Sequence, residues 1–119
     1  MPSPLRLKRI SDRIGQELSE MLAKGEIHDP RLEGISITEV KVDRELSYAE
    51  IYVSAVEGIV RSKEVLASLE NASGFLRKTL AERIDLRAFP RLRFHWDVTP
   101  EKADRIERII ASLHSDQKK

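Results

Sequence analysis

The chain has 119 residues, enough for one hydrophobic core and too few for two. With 40% hydrophobic and 34% charged residues it is too apolar for a disordered segment and too polar for a membrane protein, and the lack of cysteine excludes disulfides, thiolate metal sites and a cysteine nucleophile. The formal charge of +1 argues by itself for no polyanionic partner.

Ser3-Pro4 predicts a helix start, because a serine oxygen caps orphan amides and proline at the first helical position gives up no needed donor. The helix should run from about Leu5 to Lys24, with Leu7, Ile10, Ile14, Leu18, Met21 and Leu22 as one apolar stripe and Gly25 as its end. Ile27 to Gly34 reads as a turn about Asp29-Pro30, with His28 and Asp29 as surface polar residues. From Ile35 the period becomes two. Ile35 and Ile37 give way to Val40 and Val42, a change of phase that predicts a bulge near Glu39. A second strand, Tyr48 to Val56, alternates Ala49, Ile51, Val53 and Ala55 with polar neighbours; the short 43–47 connection makes the pair an antiparallel hairpin.

A helical stripe resumes near Ser62 through Val65, Leu69, Ala72, Leu76, Leu80 and Ile84 and never loses phase. Asn71-Ala72-Ser73-Gly74 interrupts its propensity, which predicts a kink or two helices. Arg91 to Val98 reads as a third strand, with Leu92, Phe94 and Trp96 inward and Arg91, Arg93, His95 and Asp97 outward. Thr99-Pro100 opens a last helix whose expected buried side is Ala103, Ile106, Ile109, Ile110 and Leu113, and Ser115 to Lys119 should fray. The expectation is one α+β domain over residues 1–119, ordered from about 5 to 114, with a three-stranded sheet covered by helices in the order α-β-β-α-kink-α-β-α.

Little in the chain asks for a reaction. His28, His95 and His114 are far apart, no metal-binding spacing occurs, the five glycines form no phosphate-cradling loop, and no carboxylate is singled out by spacing. No catalytic residue, metal or cofactor is therefore expected. The charge distribution says more than its sum. Residues 1–13 carry Arg6, Lys8, Arg9 and Arg13 against Asp12 alone, and residues 75–93 carry Arg77, Lys78, Arg83, Arg87, Arg91 and Arg93 against Glu82 and Asp85. Folded onto one side, these cations would form a face suited to phosphates; the plainer reading is a set of solvated surfaces. Small residues at Ala72, Ser73 and Gly74 would let an RNA backbone approach beside Arg77 and Lys78, or would simply relieve packing. The six aromatic residues read mostly as core or sheet, so recognition of phosphate and shape is expected, not base stacking.

Several segments, in this order, resemble the bacterial ribosome-binding factor A family: Arg9-Ile10 and Arg13-Ile14; Asp29-Pro30-Arg31-Leu32; Val42 to Ala49 leading into Ile51-Tyr52-Val53-Ser54; Ala72-Ser73-Gly74-Phe75-Leu76-Arg77; and Pro90-Arg91-Leu92-Arg93-Phe94 with Asp97. They span about Arg6 to Leu113. The resemblance implies a type II KH-like fold with an Ala-x-Gly kink at Ala72, Ser73 and Gly74 in place of a Gly-x-x-Gly clamp. It further implies a non-enzymatic ribosome-biogenesis factor that binds the free 30S small subunit and 16S rRNA and assists late maturation and 5′-end processing, with cold adaptation a common context. Other assembly factors, including a GTPase, are candidate partners. A cytoplasmic monomer without membrane contact is expected. The alternatives are a KH-like RNA-binding module with no ribosomal preference, and a protein-interaction domain using its sheet edge or acidic hairpin.

Overall fold

Capping at both ends sets the first helix, α1 (Pro4–Ala23), in a computed structural model that describes residues 2–117, with side chains through Leu113. Ser3 Oγ accepts from the Arg6 amide at 3.2 Å, and Pro4 takes the first helical position. At the other end Gly25 adopts φ 67°, which lets the Glu26 amide reach the Met21 carbonyl (3.0 Å) and its own amide reach that of Leu22 (3.3 Å).

A short 3-10 turn (Pro30–Leu32) leads into β1 (Ile35–Val42), which pairs antiparallel with β2 (Tyr48–Ala55) as the hairpin spacing required. Asp43 Oδ1 closes the turn by accepting from the Ser47 and Tyr48 amides at 2.8 and 2.9 Å. The expected bulge is present: the register shifts between Ile37 and Glu39, leaving Thr38 out of the ladder. Thr38 Oγ1 donates instead to Asp97 Oδ2 at 2.6 Å, beyond the far edge strand. Helix α2 (Ser62–Arg83) then crosses over, and β3 (Arg91–Trp96) returns parallel to β2, giving the order β1-β2-β3. The chain closes with α3 (Thr99–Gln117). The element order and the α+β, type II KH-like class are those expected.

At residues 71–74 the helix runs on without a break, so the kinked pair is realised as one continuous helix. Gly74 is exposed, and a Cβ there would meet nothing within 4 Å. Val65, Leu69, Leu76 and Leu80 are at most 1% exposed. Their burial outweighs an interior glycine's cost of about 1 kcal/mol.

All inward residues serve one core. Ala49, Ile51 and Val53 of β2 are fully buried beneath Ile14, Leu18 and Met21 of α1 and the α2 stripe, so both helices cover the same face of the sheet. Helix α3 departs from expectation. Its apolar side is not buried: Ile106, Ile109, Ile110 and Leu113 are 49–57% exposed, and Ala103 is exposed as well. The inner face of the sheet is already filled by α1 and α2, which leaves α3 no core surface to cover. Contacts at its start hold it, where Asp97 Oδ1 accepts from the Thr99 amide (2.9 Å) and Trp96 Nε1 donates to Glu101 (3.2 Å). Of the tail expected to fray, Lys118 and Lys119 lie outside the described residues.

Asp29, expected as a surface residue, is a tie. Its carboxylate accepts from the buried Ser68 hydroxyl of α2, from the Arg31 amide (3.0 Å) and from Arg31 Nη2 (2.8 Å). Those bonds, Arg31's first, hold Asp29 well below the usual carboxylate range; Thr38 and then the Thr99 amide lower Asp97 in the same sense.

Leu80→Ala should cost about 2–5 kcal/mol in urea unfolding, whereas Ile109→Ala on the uncovered side of α3 should change stability by under about 0.5 kcal/mol. Asp29 and Asp97 titrate lower folded than unfolded, so their contribution is complete above about pH 4 and fades as pH falls through that range. The doubly substituted Asp29→Asn/Asp97→Asn chain should therefore lose less urea resistance than the parent between pH 7 and pH 3.

Candidate nucleic-acid interface

The ten expected cations fall into three places. On α1, Arg6, Arg9 and Arg13 recur at three- and four-residue spacing along one flank, and at its inner end Arg13 Nη2 donates to the Arg83 carbonyl at the end of α2 at 3.2 Å. Lys8 lies on the opposite flank, paired with Asp12 at 2.9 Å beside the groove between α1 and β1. Arg91 and Arg93 lie elsewhere again. Their strand neighbours Leu92 and Phe94 pack against the core, so alternation turns both arginines to the other face of the sheet. A single positive face does not form.

Half of these cations are already engaged within the chain. Arg77 Nη2 and Nε donate to the Phe89 and Pro90 carbonyls at 2.6 and 3.2 Å, holding the segment that leads α2 into β3. Arg83 Nη2 donates to Glu26 at 2.6 Å, and its other terminal nitrogen lies 3.6 Å from Glu17. Glu17 also accepts from Arg13 Nε at 3.1 Å. Arg93 stacks on the Tyr48 ring, 3.4 Å from its centroid, and pairs with Glu50 at 3.3 Å. These pairings hold Lys8, Arg83 and Arg93 above their ordinary values, through Asp12, Glu26 and Tyr48 respectively.

Among the described residues, the side chains of Arg6, Arg9, Lys78, Arg87 and Arg91 have no ion-pair or hydrogen-bond partner, and all five are exposed. Lys78 follows Gly74 by one helical turn, on the side of α2 opposite its buried stripe, so the glycine backbone and this cation share a surface. Ala72 and Ser73 are half-buried and turned toward the packed side. Only Gly74 of the three offers an open backbone. Beside it Phe75, one of the aromatics expected in the core or sheet, is 51% exposed. Sequence spacing hinted at this, because Phe75 falls outside the stripe that carries Leu76 and Leu80.

A type II KH-like order with unpaired cations along its two packed helices defines an α+β class suited to RNA. Residues 6–110 match the family described as Ribosome-binding factor A. A ribosome-binding factor A from Alcanivorax borkumensis is 40% identical over 114 residues, covering 95% of this chain and 82% of that protein. The crystal structure of ribosome-binding factor A from Thermus thermophilus superposes with a TM-score of 0.65 at 27% identity, over 75% of this chain and 93% of that one. A homology model of the Thermus thermophilus factor, fitted into a cryo-electron microscopy map of its complex with 30S, gives 0.56 at 29% identity, over 73% and 96%. The chain belongs to the ribosome-binding factor A family.

Because Arg77 is spent on backbone carbonyls, Arg77→Ala should destabilise the chain by about 1 kcal/mol, while Lys78→Ala one residue on should be neutral within about 0.5 kcal/mol, both read by urea unfolding.

Proposed function

We propose that the chain is a non-catalytic ribosome-biogenesis factor of the cytoplasm, acting as a single domain that binds the free small subunit through 16S rRNA. It assists late maturation, including processing of the RNA's 5′ end. Family membership and the 30S complex of the Thermus thermophilus relative support the partner. The observation that carries the reading is the unpaired, exposed set Arg6, Arg9, Lys78 and Arg87 on α1, α2 and the connection after it, with the open backbone of Gly74 one helical turn from Lys78.

Chemically this is a surface for phosphates. Arginine forks and a lysine point charge neutralise backbone oxygens and release condensed counterions, while the glycine lets a sugar-phosphate chain come close. Arg13, Arg77 and Arg83 act behind this surface by fixing the helices and the connection that present it. The action is selection: binding one conformation of folded rRNA more tightly than its alternatives shifts the population toward that conformation, with no bond made or broken.

Sedimentation with separated small subunits, large subunits and joined ribosomes at two salt concentrations tests the reading. The parent chain should pellet with free small subunits in a salt-sensitive manner and with the other particles far less. Replacing Arg6, Arg9, Lys78 and Arg87 by glutamine should weaken binding and reduce the salt slope by about 3. Equal binding to all particles, or an unchanged slope in the quadruple variant, would overturn it. Gly74→Ala should raise stability by about 1 kcal/mol yet weaken subunit binding; undiminished binding would leave Gly74 outside the interface.

A further inference from the structure

The sheet has a second face with a different chemistry from the helical cations. Alternation and register turn Tyr48, Glu50 and Tyr52 of β2 outward beside Arg91, Arg93 and His95 of β3, with Lys41 of β1 opposite Glu50. Among the described residues no helix packs against this face, since α1 and α2 cover the other one and residues Ala103 to Leu113 of α3 are all exposed. No outward position of the three strands carries an aliphatic side chain. The face instead offers flat, polarisable groups. The Arg93 guanidinium lies on the Tyr48 ring with its side chain 50% exposed, and the Tyr52 and His95 rings pair at 5.1 Å with Lys41 Nζ 5.7 Å from the Tyr52 centroid.

Glu50 arranges both pairs. Its two oxygens accept from Arg93 Nη1 at 3.3 Å and from His95 Nε2 at 2.6 Å, so one carboxylate holds the guanidinium plane and the imidazole plane in place. The acidic groups here are spent within the face: Glu39 lies 3.8 Å from Lys41, Glu50 is paired as described, and Asp97 is bonded to Thr38 and the start of α3. Arg91 alone keeps an unpaired charge among the described residues of this face.

We propose that this face is a second RNA-contact surface, which takes unpaired nucleotides by stacking bases on the Tyr52–His95 pair and on the Arg93 plane, with Arg91 set for a flanking phosphate. The occupant is single-stranded RNA. Every base has a π-face, and aromatic rings and arginine planes stack on bases without regard to sequence. Tyrosine and arginine also anchor protein interfaces, but with no aliphatic side chain on this face a protein partner would find little apolar surface to bury around them. The inference deepens the ribosomal reading: the helical cations hold folded rRNA by its phosphates, and the sheet holds a strand that is not paired.

Fluorescence anisotropy with a labelled ten-nucleotide oligouridylate and with an RNA duplex of equal length tests it on the full chain. The single strand should bind more tightly. Tyr52→Ala and Arg93→Ala should each weaken it about tenfold, and Tyr52→Phe, which keeps the ring, should retain parental affinity. Melting curves confirm that the variants fold; Arg93→Lys, which keeps the charge without the plane, gives an independent measure and should also bind weakly. Equal affinity of the parent and both alanine variants, or a preference for duplex, overturns the sheet proposal. Pelleting of those variants with small subunits distinguishes the two readings. If the parent pellets selectively while oligouridylate binding ignores the substitutions, only the sheet surface falls. If oligouridylate binding follows the substitutions but the parent does not pellet selectively, only the ribosomal reading falls.

Discussion

Burial of β2 beneath two helices is the interaction on which the other placements depend. Ala49, Ile51 and Val53 are fully enclosed between the stripes of α1 and α2. Each large side chain so enclosed contributes about 1.5–3 kcal/mol, and enclosure settles which face of all three strands looks inward. A slip of one residue would exchange Ile51 for Glu50 or Tyr52, so the register is held firmly. Once that face is filled, two consequences follow without further instruction. The polar and aromatic residues of β2 and β3 must share the opposite face, and α3 finds no core left to join.

The cations illustrate how little a charge count says about availability. Ten basic side chains in two segments suggest one continuous phosphate-binding face. Strand alternation sends Arg91 and Arg93 away from the helices, and helical phase sends Lys8 to the far flank of α1. Arg77 and Arg83 cap backbone and carboxylate groups that the core leaves unsatisfied at the end of α2. A buried or half-buried carbonyl without a partner is costly, so an arginine fork that satisfies two of them serves the fold first. What remains free for phosphates is smaller, but each remaining cation is exposed and uncommitted.

Most of the architecture was legible because it rests on local patterns. The α1 boundaries follow from Ser3-Pro4 and Gly25, the hairpin from a five-residue, mostly polar connection between two alternating runs, and the bulge from a change of phase at Glu39. The helix through Gly74 was legible in its stripe, which kept phase, and obscured by local propensity, which packing overrode. What sequence could not supply were contacts between distant segments. Asp29 meets Ser68 across 39 residues and Thr38 meets Asp97 across 59, and neither pairing leaves a periodic trace. The apolar side of α3 was read as buried because an amphipathic pattern reports that a helix has a face to cover, and says nothing about whether this chain covers it. The same limit hid the sheet platform: alternation already turned Tyr52 and His95 outward, but only the parallel pairing of β2 with β3 makes them neighbours.

The most direct test of the proposed function is to map whether, and through which side, the molecule meets 16S rRNA. The chain contains no cysteine, so a single introduced one gives a unique tether for an iron chelate that cleaves nearby RNA by hydroxyl radicals. Leu5→Cys and Ala81→Cys place the tether on exposed positions beside the unpaired cations of α1 and α2, and Ile109→Cys places it on α3. In complexes with free small subunits the account predicts localised 16S cuts from the first two positions, stronger than any from the third. Complexes that form normally yet show cuts from Ile109→Cys alone, or none from either helical position, would contradict it.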